Sequence, residues 1–281
     1  MSAGFTPEFV EREYNNRALV PEHPSFFARW EKDSGFVREV LKPHLDLPYG
    51  PHTRQRIDIF PAAGARGTLM FIHGGYWRSL DKGMFSWLAA SWVAAGVSVA
   101  MPNYRLAPEV GIAHIVEDII DATNWLALNG AKYGAPPPFV VSGHSAGGHL
   151  TAALFATAWG RLKFDPARIV GGVPFSGVFD FEPILHFGFN ADFKLDAAGA
   201  DALTLLARKP TLAAPLVVAA GAGESSEFQR QSRALASAWA PQARPLMLPG
   251  LNHFSIVDSF AERSQPLYEE TLALFGNPSN A

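Results

Sequence analysis

The chain of 281 residues contains no cysteine. That excludes disulfide staples, thiolate metal sites and a cysteine nucleophile. Long apolar runs are missing as well: glycine, proline or polar residues interrupt every apolar stretch short of the roughly 20 residues that span a membrane. Neither sign of charge dominates. Lys and Arg number 23 against 26 Asp and Glu, a net charge of -3, so no basic surface for nucleic acid or an anionic membrane is expected. No His-Glu-x-x-His or clustered Asp/His spacing is present, and no glycine-rich run has phosphate-loop or dinucleotide spacing. The chemistry is therefore expected to need no metal and no cofactor. Met1 to Arg17 carries Glu8, Glu11 and Glu13 and has no continuous apolar core, unlike a secretory leader. The expectation is a cytoplasmic protein that acts on a small molecule, with no nucleic-acid or membrane partner; a homodimer is left open.

What is present is a well-patterned globular chain. Hydrophobic residues make up 48% of it, too many for a disordered one. Residues 1–43 are expected to form an N-terminal helical extension packed on the main domain, with Phe26, Phe27, Trp30, Phe36, Val37 and Leu41 at helical spacing. A sharper reading makes this extension a lid over the site. From residue 44 to 281 strands alternate with helices. Arg56–Phe60 alternates polar and apolar, as a half-buried strand does. Thr68–Ile72, Val97–Met101, Phe139–Val141, Ile169–Phe175, Leu216–Ala220 and Arg244–Leu248 are the further strand candidates, several of them continuous apolar runs as in strands covered on both faces. An amphipathic helix is expected from Ile112 to Leu126 and another from Phe228 to Trp239. The order predicts an α/β fold, a mostly parallel central sheet with helices on both faces, and a small helical insertion at about residues 180–207 that serves as a cap.

The chemistry concentrates in Gly143-His144-Ser145-Ala146-Gly147. This Gly-x-Ser-x-Gly follows an apolar strand and opens an apolar helix predicted from Ala146 to Trp159. So sharp a strand-to-helix turn admits only small neighbours and lifts the Ser145 hydroxyl clear of the sheet, at a helix N-terminus that favours negative charge. Ser145 is the candidate nucleophile. His73-Gly74-Gly75-Tyr76-Trp77 leaves the Thr68–Ile72 strand; the N–H groups of Gly74 and Gly75, with that of Ala146, are candidate oxyanion donors. His73 is expected to brace this loop. Of the 9 histidines, His253 beyond the last strand suits the base. Its carboxylate partner is expected at Glu224, with Glu227 and Asp180 as alternatives. Tyr76 and Trp77 are expected to receive an aromatic part of the substrate, and His144 to line the pocket or brace it.

Together these residues resemble the α/β-hydrolase fold over about Leu45 to Phe275. His73-Gly74-Gly75 and Tyr104-Arg105-Leu106-Ala107-Pro108-Glu109 are similar to the hormone-sensitive-lipase-like esterases. The fuller His73–Trp77 segment, with Glu224–Ser232 and His253-Phe254, resembles the kynurenine formamidase (arylformamidase) branch; Tyr14-Asn15-Asn16-Arg17 resembles its bacterial members. The resemblance implies a triad of the serine, the acid at Glu224 and the final histidine, and cleavage of an aryl formamide such as N-formyl-kynurenine to kynurenine and formate. Glu224 stands where relatives often have Asp. A carboxylesterase for short acyl chains would use the same residues, and a catalytically inactive binding protein of this fold is the remaining reading.

Overall fold

The computed structural model describes residues 4–276. Eight strands form one sheet in the order β1-β2-β4-β3-β5-β6-β7-β8. They are β1 His44–Pro48, β2 Arg56–Phe60, β3 Thr68–Ile72, β4 Ser98–Pro102, β5 Phe139–His144, β6 Ile169–Phe175, β7 Leu216–Gly221 and β8 Ala243–Leu248. β1 and β2 run antiparallel; β4 to β8 and β3 form the parallel body expected from the alternation of strands and helices.

The strand β3 shows why the sheet is buried on both faces. Met70 and Ile72 enter one apolar core, Leu69 and Phe71 the other, as side chains on a strand alternate. Helices cover both sides: Ile112–Asn129 and Ala146–Phe155 supply the first core, and the C-terminal Pro266–Ala273 supplies the second. Two expectations shift in detail. The helix after Ser145 stops at Phe155, four residues short of Trp159. β2 is buried at its polar position too, because Asp58 meets the Lys82 ammonium at 2.9 Å and the Asp46 N–H at 2.7 Å. Burial would drive that carboxyl towards its neutral form; the paired ammonium opposes it.

The register matters most at the C-terminal ends of the parallel strands. Ile72 pairs with Gly143, His144 with Phe175, Phe175 with Ala219 and Gly221 with Leu248. The loops that follow β3, β5, β6, β7 and β8 therefore leave the sheet side by side, where α/β sheets bind ligands.

Residues 4–43 straddle this edge. The helix Pro7–Tyr14 buries Val10 and Tyr14 in the first core, whereas His23–Leu41 buries Trp30 and Val37 in the second. Phe36, expected on the apolar face, is 66% exposed. Tyr14 is the tie: its hydroxyl donates to Glu227 Oε2 at 2.8 Å and accepts from Gln231 Nε2 at 2.8 Å. Between residues 180 and 207 lie short helical turns, Pro183–His186, Asn190–Phe193 and Ala197–Leu203, that bury Ile184, Phe187, Phe193 and Leu203. Among the described residues no helix is long and apolar enough to cross a membrane.

Replacing Tyr14 by Phe deletes one hydroxyl and leaves Glu227 and Gln231 short of a partner in a buried place. The expected loss is about 1–3 kcal/mol in urea unfolding, with faster proteolysis of the N-terminal segment under native conditions. An unchanged midpoint and cleavage rate would remove Tyr14 as the tie.

Candidate active site

The backbone at Ser145 is strained, with φ 56° and ψ -117°, between β5 and the helix Ala146–Phe155. A non-glycine residue holds such a conformation only where its surroundings enforce it. Here the enforcement is visible. A Cβ on Gly143 would lie 2.2 Å from the Gly147 carbonyl oxygen, and one on Gly147 would lie 2.0 Å from that of Ile72. Only glycines let the helix start so close to β3. The Ser145 N–H donates to the Phe175 carbonyl at 3.0 Å, which locks the turn to the neighbouring strand.

His253 sits in the loop after β8. Asn252 shapes that loop, its Oδ1 accepting from the N–H groups of Phe254 at 3.0 Å and Ser255 at 2.8 Å. The imidazole Nδ1 meets Glu224 Oε2 at 2.7 Å. The other oxygen, Oε1, accepts from Ser176 Oγ at 2.6 Å and the Gly221 N–H at 2.7 Å. Three donors thus hold a carboxylate whose side chain is fully buried. The alternative acids lie elsewhere. Glu227 takes Tyr14 and Arg230, and Asp180 pairs with Arg230 at 3.1 Å. Ser176 was not legible as a site residue; its place just past β6, beside the acid loop, and its left-handed φ of 53° are seen only in the fold.

The loop after β3 lies against this turn. A Cβ on Gly74 would come within 3.1 Å of Ser145 Cβ. The Gly74 carbonyl is turned inward, to His73 Nδ1 at 2.7 Å, and Tyr104 Oη donates to the His73 carbonyl at 2.9 Å. The N–H groups of Gly74 and Gly75 have no hydrogen-bond partner among the described residues. That of Ala146 is one of the unpaired donors of a helix N-terminus.

A cavity of about 240 Å³ opens over these groups, bordered by Gly75, Tyr76, His144, Ser145 and His253. Asn15, Asn16, Arg17, Phe27 and Trp30 of the N-terminal segment form its outer wall, and Phe189 of the 180–207 insertion borders it too. His144 faces the cavity with its ring 4.6 Å from that of His253. Burial, then the nearby His253, keeps its pKa well below the ordinary histidine range. Trp77 departs from expectation. It is fully buried away from the cavity, its ring against His149, Phe181 and Phe193. The cause is backbone geometry: Tyr76 and Trp77 both take left-handed φ, 51° and 55°, which swings the second ring into the core.

The family profile described as the α/β-hydrolase fold matches residues 69–234, more than half of the chain. The chain belongs to the α/β-hydrolase fold family. This hydrolase is 26% identical to a kynurenine formamidase of Salmo salar over 261 residues, 85% of this chain and 84% of that one. It is 29% identical to the esterase LipU of Mycobacterium tuberculosis over 151 residues, 53% of this chain and 49% of that one. A crystal structure from Silicibacter sp. TM1040, described as a candidate thioesterase, superposes with a TM-score of 0.83 at 32% identity. The match covers 92% of this chain and 97% of that one.

The hydrolase carries a built-in sensitivity to acid. Burial draws the pKa of His73 down to about 4 and that of His149 down to about 3, and lowers that of His144 as well. Free histidine titrates near about 6.5, so on acidification the unfolded chain takes up these protons first. Their contribution to stability is complete above that value and is lost as the pH falls towards 4 and then 3. His73 alone accounts for roughly 3 kcal/mol on that scale. Urea unfolding at a series of pH values should show stability falling steadily below about pH 6.5. His149→Leu should flatten that slope by close to one proton, and an unaltered slope would contradict the assignment.

Proposed function

We propose that this hydrolase cleaves aryl formamides, with N-formyl-kynurenine the leading substrate, through an acyl-enzyme on Ser145. The observation that carries the reading is the buried Glu224–His253 pair, at 2.7 Å, opening on the same cavity as Ser145 at its strained turn. In this reading Ser145 Oγ attacks the formyl carbon and passes its proton to His253 Nε2. Glu224 fixes the other ring nitrogen as the protonated one and stabilises the imidazolium. The N–H groups of Gly74, Gly75 and Ala146 receive the charge that gathers on the carbonyl oxygen. Collapse of the tetrahedral intermediate breaks the C–N bond, and His253 returns the proton to the departing arylamine. Water, deprotonated by His253, then attacks the formyl-serine and releases formate. An arylamine leaves far more readily than an alkylamine, so a triad built for esters handles this amide.

The kynurenine formamidase of Salmo salar, similar over most of both chains, supports this substrate class. A carboxylesterase for short acyl chains is the second reading. It is favoured by the similarity to LipU, which is named an esterase. The two part on kinetics: the first expects kcat/KM on N-formyl-kynurenine to exceed that on p-nitrophenyl acetate, the second the reverse. Ser145→Ala should fold normally and lose activity by several orders of magnitude under either. Glu224→Gln should lower kcat on the order of 10³- to 10⁴-fold, whereas Asp180→Asn should change it little, and EDTA should leave the rate unaltered. Wild-type turnover in Ser145→Ala would sink the nucleophile assignment, and a damaging Asp180→Asn would move the acid.

A further inference from the structure

We propose that Asn16 and Arg17 form a subsite for a carboxylate carried on the leaving-group part of the substrate. The proposal rests on the hydrolase reading above and deepens it by naming the residues that would recognise charge on the leaving group. Arg17 borders the cavity with its guanidinium 5.6 Å over the ring of Phe27 and makes no ion pair among the described residues. The other arginine that borders the cavity, Arg78 in the loop after β3, is already paired with Asp192 at 2.6 Å. No acidic side chain borders the cavity among the described residues, so the charge of Arg17 stands unopposed there.

Asn16 adds an independent sign. It borders the cavity, is only 4% exposed, and its Nδ2 has no hydrogen-bond partner. Its neighbour Asn15 shows the contrast: that amide donates to Glu11 at 2.5 Å and accepts from the Ala18 N–H at 3.1 Å. A buried amide left unmet is unfavourable unless something arrives to meet it. The backbone just upstream of both groups is tied down. The Tyr14 carbonyl, just upstream, accepts from Tyr76 Oη at 2.5 Å, and the Tyr14 hydroxyl is tied to Glu227. Both border one cavity, and a planar guanidinium together with an amide N–H suits the two oxygens of a carboxylate. Because the proposed acyl group is a formyl, the remainder of the substrate that reaches this wall is the leaving group.

The test compares 4-acetoxybenzoate with its methyl ester, which share the acetyl group and differ in the remote charge. The ratio of their kcat/KM values is measured in the wild type, Arg17→Gln, Arg17→Lys, Asn16→Ala and Asn16→Asp. Taking ratios cancels the electronic difference between the esters. Arg17→Gln should lower the preference for the charged ester roughly tenfold. Asn16→Asp should lower it more than Asn16→Ala, and Arg17→Lys should keep most of it. The wild-type preference should also shrink as sodium chloride is raised. A ratio that stays the same in every variant overturns the subsite while leaving the hydrolase reading intact. If the wild type cleaves neither ester, the short-chain esterase reading fails and the formamidase reading stands. Calorimetric titration of 4-hydroxybenzoate against methyl 4-hydroxybenzoate then decides the subsite. Tighter binding of the acid that disappears in Arg17→Gln supports it, and equal binding of the two overturns it.

Discussion

The contact between Gly147 and the Ile72 carbonyl, too close to admit a Cβ, governs the catalytic edge of this molecule. It brings the first turn of a buried helix against the end of β3. That approach can be met only if the intervening residue, Ser145, reverses the chain through a left-handed conformation. The reversal raises the hydroxyl over the sheet and places it beside Gly74 and at the positive end of the helix. The proposed nucleophile and oxyanion donors are thus products of one steric constraint. The sheet bears the strain because the strands on either side of β5 are buried and hydrogen-bonded along their length.

The proposed acid and base are organised differently, by polar contacts between loops. Ser176 after β6, Gly221 at the end of β7 and His253 after β8 converge on one carboxylate. The Gly223 N–H donates to the Leu251 carbonyl at 2.9 Å, which joins the acid loop to the histidine loop. Each oxygen of Glu224 is occupied, so the carboxylate has little freedom to leave the imidazole. The longer reach of Glu over Asp is absorbed by this surrounding ring of donors.

Much of this was legible before any coordinates, for physical reasons. Strands covered on both faces read as continuous apolar runs, so β3 and β7 could be found within a residue, whereas β5 runs three residues past its apolar stretch, to His144. The turn at Ser145 announces itself because steric crowding leaves glycine as the only choice on either side. Other features depend on information that a linear pattern does not hold. Glu224 and Glu227 are three residues apart, and what separates them is Ser176 on one side and Tyr14 on the other, both distant in sequence. Trp77 was misplaced because its backbone angle, not its hydrophobicity, decides where the ring goes. Asn16 and Arg17 entered only as part of the Tyr14–Arg17 resemblance; the cavity they border exists only after the N-terminal segment crosses the sheet edge.

That crossing has a consequence for how the protein is made. Tyr14 bonds to Glu227, 213 positions away, and Trp30 bonds to Asp258, 228 positions away. On a ribosome, residues that border the outer cavity emerge long before the partners that seat them. The helix bearing Val10 and Tyr14 must wait until Glu227 has emerged, with its apolar face unmatched. Closing so long a loop is slow. The wall beside Ser145 is therefore seated only after Glu227 has been made, and a chain cut short before it carries the serine turn without a seat for that wall or the proposed base.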